Sequence, residues 1–290
     1  MNTSMYKQLF FVPTLILLLA ISACNSEKKT NDESTDIQPD TSSLVIKTIL
    51  YTVPSPFETA MLIKRFNLAF KPELVMEPKQ ANKLVAEHAI AVNLGIYYTD
   101  ACYAAVNNEM HLLEEYFEAI SKLTFKLNLD GKIKVPGLSS TPTPQQRSEI
   151  LQILSESYLN TCIALQTGGK GNLAALTVTG GWIESGYLYS NLINNEKELK
   201  SDLTESLLSL GMSLQGIMSL IENNDNENGM VVYKDDFSQL NAIFDKLQQQ
   251  LTVENTEKLK TNHSILISDS EIEILTQTII GLRNKYGALQ

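Results

Sequence analysis

Two carboxylate residues occur inside strongly apolar stretches, where a charged side chain needs a partner. Asp100 follows Asn93 and Tyr97 at helical spacings, so these side chains share one face of a predicted helix. Trp182 and Glu184 lie on a second apolar segment. If the two segments cross here, the five residues would line a ligand pocket with polar groups over an aromatic floor. Alternatively, backbone amides or hydroxyl groups hold both carboxylates, which then only fix helix packing, because an unpaired buried carboxylate is costly.

The second segment is also rich in glycine. Gly180, Gly181 and Gly186 surround Trp182 and Glu184. Glycine lowers helix stability, but its missing side chain lets another helix or a ligand approach closely. The glycines therefore indicate a close contact at this position under either interpretation of the carboxylates.

The rest of the sequence offers little support for metal or cofactor chemistry. The glycine-rich stretch 168–171 follows a predicted helix, and Asn172 stands where a phosphate-binding loop needs Ser or Thr, so we interpret the stretch as a helix stop. His111 and Glu114 would supply half of a carboxylate–histidine metal site, but a solvated helix face explains them better. The histidines are scattered: His88, His111 and His263. We predict no metal site, no cofactor and no catalytic residue.

Cys102 and Cys162 lie on apolar segments and have no histidine next to them in sequence. A disulfide between them would need Cα atoms within about 7 Å. We favour the alternative, two separate buried thiols.

Residues 1–23 have the layout of an export signal. Lys7 precedes an apolar run over 9–20, which is too short to span a bilayer because a span needs about 20 apolar residues. The run leads into Ile21-Ser22-Ala23-Cys24, which resembles the lipobox of bacterial lipoproteins: an aliphatic residue, two small residues and then cysteine. We predict that the signal is removed and that Cys24 carries acyl chains such as palmitate, which anchor the protein to a membrane. The alternatives are an ordinary signal cut after Ala23 or an uncleaved anchor.

Residues 24–43 form the predicted tether between the lipid and the domain. Ile37 is the one large apolar residue after Cys24, so this segment cannot bury enough surface to fold. The 19 residues that follow Cys24 have a mean span of roughly 25 Å. Asn25 stands where a common inner-membrane retention signal has aspartate, which favours the outer membrane in a two-membrane cell. The periplasmic and surface faces both stay open.

The charge balance argues against nucleic acid as a partner. The chain has 23 Lys and Arg against 33 Asp and Glu, a formal net charge of −10. Phosphate binding needs clusters of basic residues, which this sequence lacks. We exclude nucleic acid.

The apolar spacing after residue 55 is helical almost throughout. Ser55 to Glu58 predicts a capped helix start. We predict one all-α domain over 44–290, an array or bundle of about seven to eight antiparallel helices, two of them central; a tetratricopeptide-like solenoid of helix pairs is the alternative. Residues 44–53 would form a short strand or a packed extended segment. Helices are expected over 56–70, 78–105, 107–127, 145–165, 172–193, 196–221, 237–251 and 270–286, with a loop over 130–144.

Two stretches carry a family resemblance. They are Asn93-Leu94-Gly95-Ile96-Tyr97 with Asp100 and Tyr103, and Ala174-Ala175-Leu176 with Gly180-Gly181-Trp182-Ile183-Glu184-Ser185. Both resemble a group of uncharacterised helical lipoproteins from Bacteroidetes, mainly over 84–120 and 150–195. The resemblance implies a lipoprotein with a helical domain and supplies no activity.

The sequence favours a lipid-anchored helical module of the cell envelope that binds a protein partner or an envelope ligand without catalysis. The alternative is a small-molecule receptor or an enzyme that uses a pocket between the central helices. An enclosed cavity with converging polar groups would favour the alternative, whereas a filled core with an exposed apolar groove would favour the binding module. A purely structural spacer would have neither.

Overall fold

Helices form the regular structure in the described part of the chain, where no strand occurs, and the all-α fold class is confirmed. The structure, a computed structural model, describes residues 50, 52–129, 141–224, 230–253 and 267–288. The predicted signal 1–23 and the tether 24–43, with Cys24, lie outside these ranges. Within them the α-helices are α1 (Pro56–Arg65), α2 (Glu87–Val106), α3 (Met110–Lys126), α4 (Pro144–Thr167), α5 (Gly171–Asn195), α6 (Lys200–Gly211), α7 (Leu214–Asn223), α8 (Val231–Val253) and α9 (Asp269–Gly287).

Three helices begin with a capping box, in which the first side chain accepts from the backbone and a Glu or Gln side chain returns a bond. Ser55 caps α1 as predicted. Thr143 and Ser268 cap α4 and α9 in the same way. Each such cap contributes about 1 kcal/mol and fixes where the helix starts.

The segment around α1 differs from the prediction at both ends. Leu50 and Thr52 are helical, so the expected strand or extended segment is wrong at this end, and residues 44–49 lie outside the described ranges. Leu50 packs against the core. The helix expected to reach residue 70 ends at Arg65, because Asn67 adopts a left-handed φ of 53° that no α-helix contains.

The helix expected to begin at Pro78 begins instead at Glu87. Two short 3₁₀ helices, Pro72–Leu74 and Pro78–Asn82, precede it. Their irregular backbone leaves N–H and C=O groups free to meet side chains of the core. The backbone N–H of Met76 uses this freedom and donates to the Asp100 carboxylate at 2.9 Å.

The single helix expected over 196–221 is broken into the 3₁₀ helix Lys197–Leu199, α6 and α7. The break follows Gly211, against which the ring of Phe244 packs so closely that an added Cβ would lie 2.2 Å from it. At the break, Ser213 accepts a hydrogen bond from the indole N–H of Trp182 at 2.9 Å. The contact with α8 therefore explains where the chain bends.

The central helices are α2 and α5, which are buried along nearly their whole length. They touch backbone to backbone: an added Cβ on Gly180 would lie 1.9 Å from the carbonyl oxygen of Val92, and one on Gly95 would lie 2.0 Å from that of Thr177. This approach explains the glycines of both segments.

The central pair departs from an antiparallel arrangement and runs in one direction. His88 near the start of α2 meets Asn172 near the start of α5, and Thr99 further along meets Gly181. The connection through α3 and α4 is long enough to return the chain to its starting side, which a short hairpin loop cannot do.

The last described helix closes the bundle rather than stacking on its neighbour. Helix α9 packs against α5 and α2: Arg283 reaches Glu184, and Ile279 touches Gly186. In a solenoid each repeat contacts only the adjacent one. The contact of the final helix with helices early in the chain therefore favours the bundle over the solenoid.

Candidate functional site

Asp100 and Glu184 are brought together where α2 and α5 cross, and both are fully buried. The two carboxyl groups are close enough for the charge of Glu184 to raise the pKa of Asp100. The glycines of the crossing permit this, because they let two helix backbones approach to contact distance. Two carboxylates at such a distance cannot both be ionised without strong repulsion.

Arg283 of α9 supplies the counter-charge. Its Nε donates to Glu184 Oε2 at 2.8 Å and its Nη2 to Oε1 at 3.3 Å, a two-point ion pair. The guanidinium group also lies over the ring of Tyr187, 4.3 Å from its centroid. Burial lowers the pKa of Arg283, but the facing Glu184 carboxylate outweighs this and the pKa ends above its ordinary value. Arg283 and Glu184 therefore form a buried ion pair with charge-assisted hydrogen bonds.

Asp100 is the carboxyl group that carries the proton. Burial, and next the charge of Glu184, raise its pKa well above the ordinary value, and Arg283 opposes this shift. Its Oδ2 accepts from the Met76 N–H, whereas its Oδ1 has no donor. A proton on Oδ1 resolves this, because the protonated oxygen no longer needs to accept a hydrogen bond. We name this group the Asp100–Glu184–Arg283 cluster; with one shared proton its net charge is zero.

Two tyrosines hold the backbone that covers Asp100. Tyr116 of α3 donates to the carbonyl oxygen of Met76 at 2.7 Å, and Tyr97 donates to that of Glu77 at 3.2 Å. Burial raises the pKa of both hydroxyl groups, which stay protonated donors. The tyrosines thereby place the Met76 N–H at Asp100.

The five residues predicted to share a pocket do not line one common space. Trp182 lies elsewhere, so the expected aromatic floor beneath the carboxylates does not form. Trp182 and Glu184 are two positions apart on a helix and point to opposite sides, about 200° apart. Trp182 instead packs against Phe237 and Phe244 of α8.

Asn93 and Tyr97 do lie together, about two turns and one turn before Asp100. Both line a cavity of about 180 Å³ between the Pro78–Asn82 segment and the end of α9. The amide nitrogen of Asn93 donates to the carbonyl oxygens of Ala89 and Tyr286. The shared helical face predicted for Asn93, Tyr97 and Asp100 is thus turned toward residues 76–82 and α9.

Arg283 and Met76 are the members of the site that the sequence did not reveal. Arg283 is 99 residues from Glu184. It does stand at the helical spacing of Ile279 and Tyr286, in the buried stripe of α9. A cation in an otherwise apolar stripe was the available signal, because such a residue needs a buried acid. Met76 contributes its backbone N–H. The type of its side chain therefore could not indicate this role.

Other reactive groups are placed as follows. Cys102 and Cys162 are free and buried; burial raises the pKa of the Cys162 thiol to about 12, so it stays neutral. His111 lies on an exposed helix surface, with its Nδ1 3.6 Å from Glu115 Oε1. Among the described residues, no group of three or more metal-binding side chains occurs.

Comparison of the chain with family models, with curated proteins and with solved structures yields no match. The resemblance to helical lipoproteins therefore stays a prediction. No helix within the described ranges has the length and apolar character needed to cross a membrane.

Proposed function

We propose that the protein is a lipid-anchored module of the cell envelope that binds a protein partner through the apolar outer side of α1. The lipobox at Ile21 to Cys24 supports the anchor. The observation that carries the binding part is the exposed apolar side of α1.

The outer side of α1 combines apolar side chains with open grooves. Met61 and Leu62 are 40% and 36% exposed, and Phe57 is half-buried beside them. Grooves of about 500 and 450 Å³ flank the helix, and Pro54, Leu62 and Arg65 line both. Contiguous apolar surface with a polar rim is typical of a protein interaction site. We name this surface the α1 face.

We favour binding over catalysis because the two carboxylates are buried. Asp100 and Glu184 are each 0% exposed, and Arg283 neutralises the charge that Glu184 carries. A substrate would have to separate the two central helices to reach them. The cluster is better suited to holding α2, α5 and α9 in register.

The anchor is tested by metabolic labelling with palmitate. Wild-type protein should incorporate the label and partition into detergent, whereas Cys24→Ser should do neither. Thr30→Ala, a change within the predicted tether, is the control and should label normally. Labelling of Cys24→Ser would show that the anchor is wrong.

The α1 face is tested by site-specific photocrosslinking in the native envelope. A photoreactive residue at Met61 should give one discrete protein adduct, which a second change, Leu62→Asp, should remove. The control position is Phe125 of α3, which is 77% exposed but far from α1 in the chain. Identical adducts at both positions, or no protein adduct at Met61, would contradict the proposal.

A further inference from the structure

A groove runs between α1 and α6 and combines apolar with charged side chains. Both helices pack against α5, which contributes Tyr189 to the lining. Tyr189 is only 2% exposed and so lies deep in the groove, below Leu62, Phe66 and Leu210. The volume of about 450 Å³ is within the range of cavities that enclose a drug-sized ligand. The groove therefore has room for several side chains of a partner.

The groove follows both helices for most of their length. Its lining extends from Pro54 to Phe66 on the α1 side and from Asp202 to Leu210 on the α6 side. At a rise of 1.5 Å per residue, these stretches are about 18 and 12 Å long. This length matches two to three turns of a helix, or about 8–12 residues. An amphipathic helix binds other proteins by laying its apolar face into such a groove.

The α6 side of the groove is acidic. Polar residues of α6 line it at the spacings i, i+3, i+4 and i+7, namely Asp202, Glu205, Ser206 and Ser209. These spacings form one stripe, which is therefore the side of α6 that is turned toward the groove. Asp202 and Glu205 are exposed, and neither carboxylate forms an ion pair within the described part of the chain.

The opposite side of the groove carries the cation Arg65. Arg65 is exposed and forms no ion pair with any residue that the structure describes, so it leaves both acids of α6 unpaired. Two acids and one base leave an excess of negative charge in the groove. Complementary charges on two partners steer them together and fix their orientation. A partner with basic residues on the side that meets α6 therefore fits this groove.

A second copy of this chain fits the groove less well than a basic partner. Each copy has a formal net charge of −10 and would bring the same excess of acids to the contact. Like charges on two surfaces oppose docking. The charge of the whole chain and the charge of the groove thus favour the same kind of occupant.

We propose that the groove between α1 and α6 binds an amphipathic helix of the partner, in which lysine or arginine residues flank the apolar stripe. The apolar stripe lies against Leu62, Phe66 and Leu210, and the basic side chains pair with Asp202 and Glu205. The inference rests on the proposed function, because it names the segment that the α1 face recognises. It can fail while the α1 face still binds a protein of different chemistry.

The test measures binding of two labelled synthetic helices to the purified full-length protein in non-ionic detergent by fluorescence anisotropy. One probe is an amphipathic helix of about 14 residues built from leucine and lysine, and the other has glutamate in place of each lysine. Protein-free micelles provide the background. The leucine–lysine helix should bind saturably and about tenfold more tightly than the leucine–glutamate helix, and added salt should reduce the difference.

Charge reversal in the groove repeats the comparison from the protein side. Asp202→Lys with Glu205→Lys should weaken binding of the leucine–lysine helix about tenfold. Asp202→Asn with Glu205→Gln removes the same charges without adding any and should weaken it by a smaller factor. The matched control is Glu114→Lys with Glu118→Lys, which reverses two exposed acids of α3 and should leave binding unchanged. Circular dichroism confirms that each variant is folded.

Equal binding of the two probes would overturn the inference, and so would equal losses in the α6 and α3 variants. Photocrosslinking at Met61 stays the separate test of the α1 face. If Met61 captures a protein but the probes show no preference for lysine, the α1 face stands and the basic helix is wrong. If Met61 captures only a second copy of this chain, that copy is the occupant and the basic helix is wrong as well.

Discussion

A proton on Asp100 turns two buried acids and one base into a neutral group, and this makes asparagine the natural mimic of Asp100. The amide of Asp100→Asn can still accept a hydrogen bond from the Met76 N–H. We expect Asp100→Asn to fold with a loss of less than about 1.5 kcal/mol, whereas Asp100→Ala leaves the Met76 donor unpaired and should cost about 1–3 kcal/mol more. Urea unfolding of both variants measures this difference.

The same proton predicts how stability changes with pH. An unfolded aspartate has a pKa of about 3.9, whereas burial raises the native pKa of Asp100 well above its ordinary value. Between the two values the native protein keeps a proton that the unfolded chain releases. The free energy of unfolding therefore falls as pH rises through this window, by at most about 1.4 kcal/mol per pH unit.

Asp100→Asn removes this loss, so its stability relative to wild type should improve steadily as the pH rises above about 4. Urea unfolding at a series of pH values measures the difference. The exposed Asp235→Asn is the control and should show no such trend. A difference between wild type and Asp100→Asn that does not vary with pH would mean that Asp100 is ionised in the native protein.

The ion pair predicts strong coupling between α5 and α9. Arg283→Met leaves Glu184 charged and unpaired, which should cost about 3–5 kcal/mol. Adding Glu184→Gln to Arg283→Met should recover much of that loss, because no buried charge then remains. A double-mutant cycle in urea measures the coupling, and additive effects of the two changes would contradict it.

How far the sequence could predict this site differs from residue to residue. Asp100 and Glu184 stood out because carboxylates inside apolar helices need partners. Their partner Arg283 could not be assigned, because pairing across 99 residues depends on the fold. The prediction for Trp182 was wrong because positions 182 and 184 of one helix are rotated by about 200°, so neighbours in sequence need not share a face.

At the scale of the elements, the crossing of α2 and α5 depends on Gly180. A methyl group there would lie 1.9 Å from the Val92 carbonyl oxygen, which belongs to a backbone that cannot rotate away. We expect Gly180→Ala to separate the helices and cost about 1–3 kcal/mol in thermal or urea unfolding.

Gly281 provides the matched control for Gly180. It lies on the exposed side of α9, and an added Cβ would meet nothing within 4 Å. Gly281→Ala should therefore stabilise the protein by about 0.5–1 kcal/mol through helix propensity alone. Equal effects of the two substitutions would show that the helix crossing is looser than described.

The elements were predictable where local signals dominate. The α1 cap and the central positions of α2 and α5 follow from capping chemistry and from apolar residues on all sides. The break after Gly211 and the 3₁₀ helices before α2 were missed because contacts with Phe244 and Asp100, distant in sequence, determine them. The parallel direction of α2 and α5 was also missed, because it depends on how the connection through α3 and α4 returns the chain and not on a local signal.

At the scale of the whole molecule, contacts between early and late helices predict one cooperative unfolding transition. Trp182 is the one tryptophan of the chain and lies among α5, the α6–α7 break and α8. Its fluorescence and the far-ultraviolet circular dichroism should therefore change at the same urea concentration. Separate midpoints would indicate independent units, as in repeat arrays.

If the chain is exported as proposed, the 99 residues that separate Glu184 from Arg283 affect when it can fold. Glu184 has no counter-charge, and the sides of α2 and α5 that α9 covers stay open, until residues 269–287 arrive. If the chain crosses the inner membrane from its N-terminus, as the proposed signal implies, it cannot complete its core while it is still being threaded. On the far side of the membrane, the buried ion pair would form only after residues 269–287 had crossed.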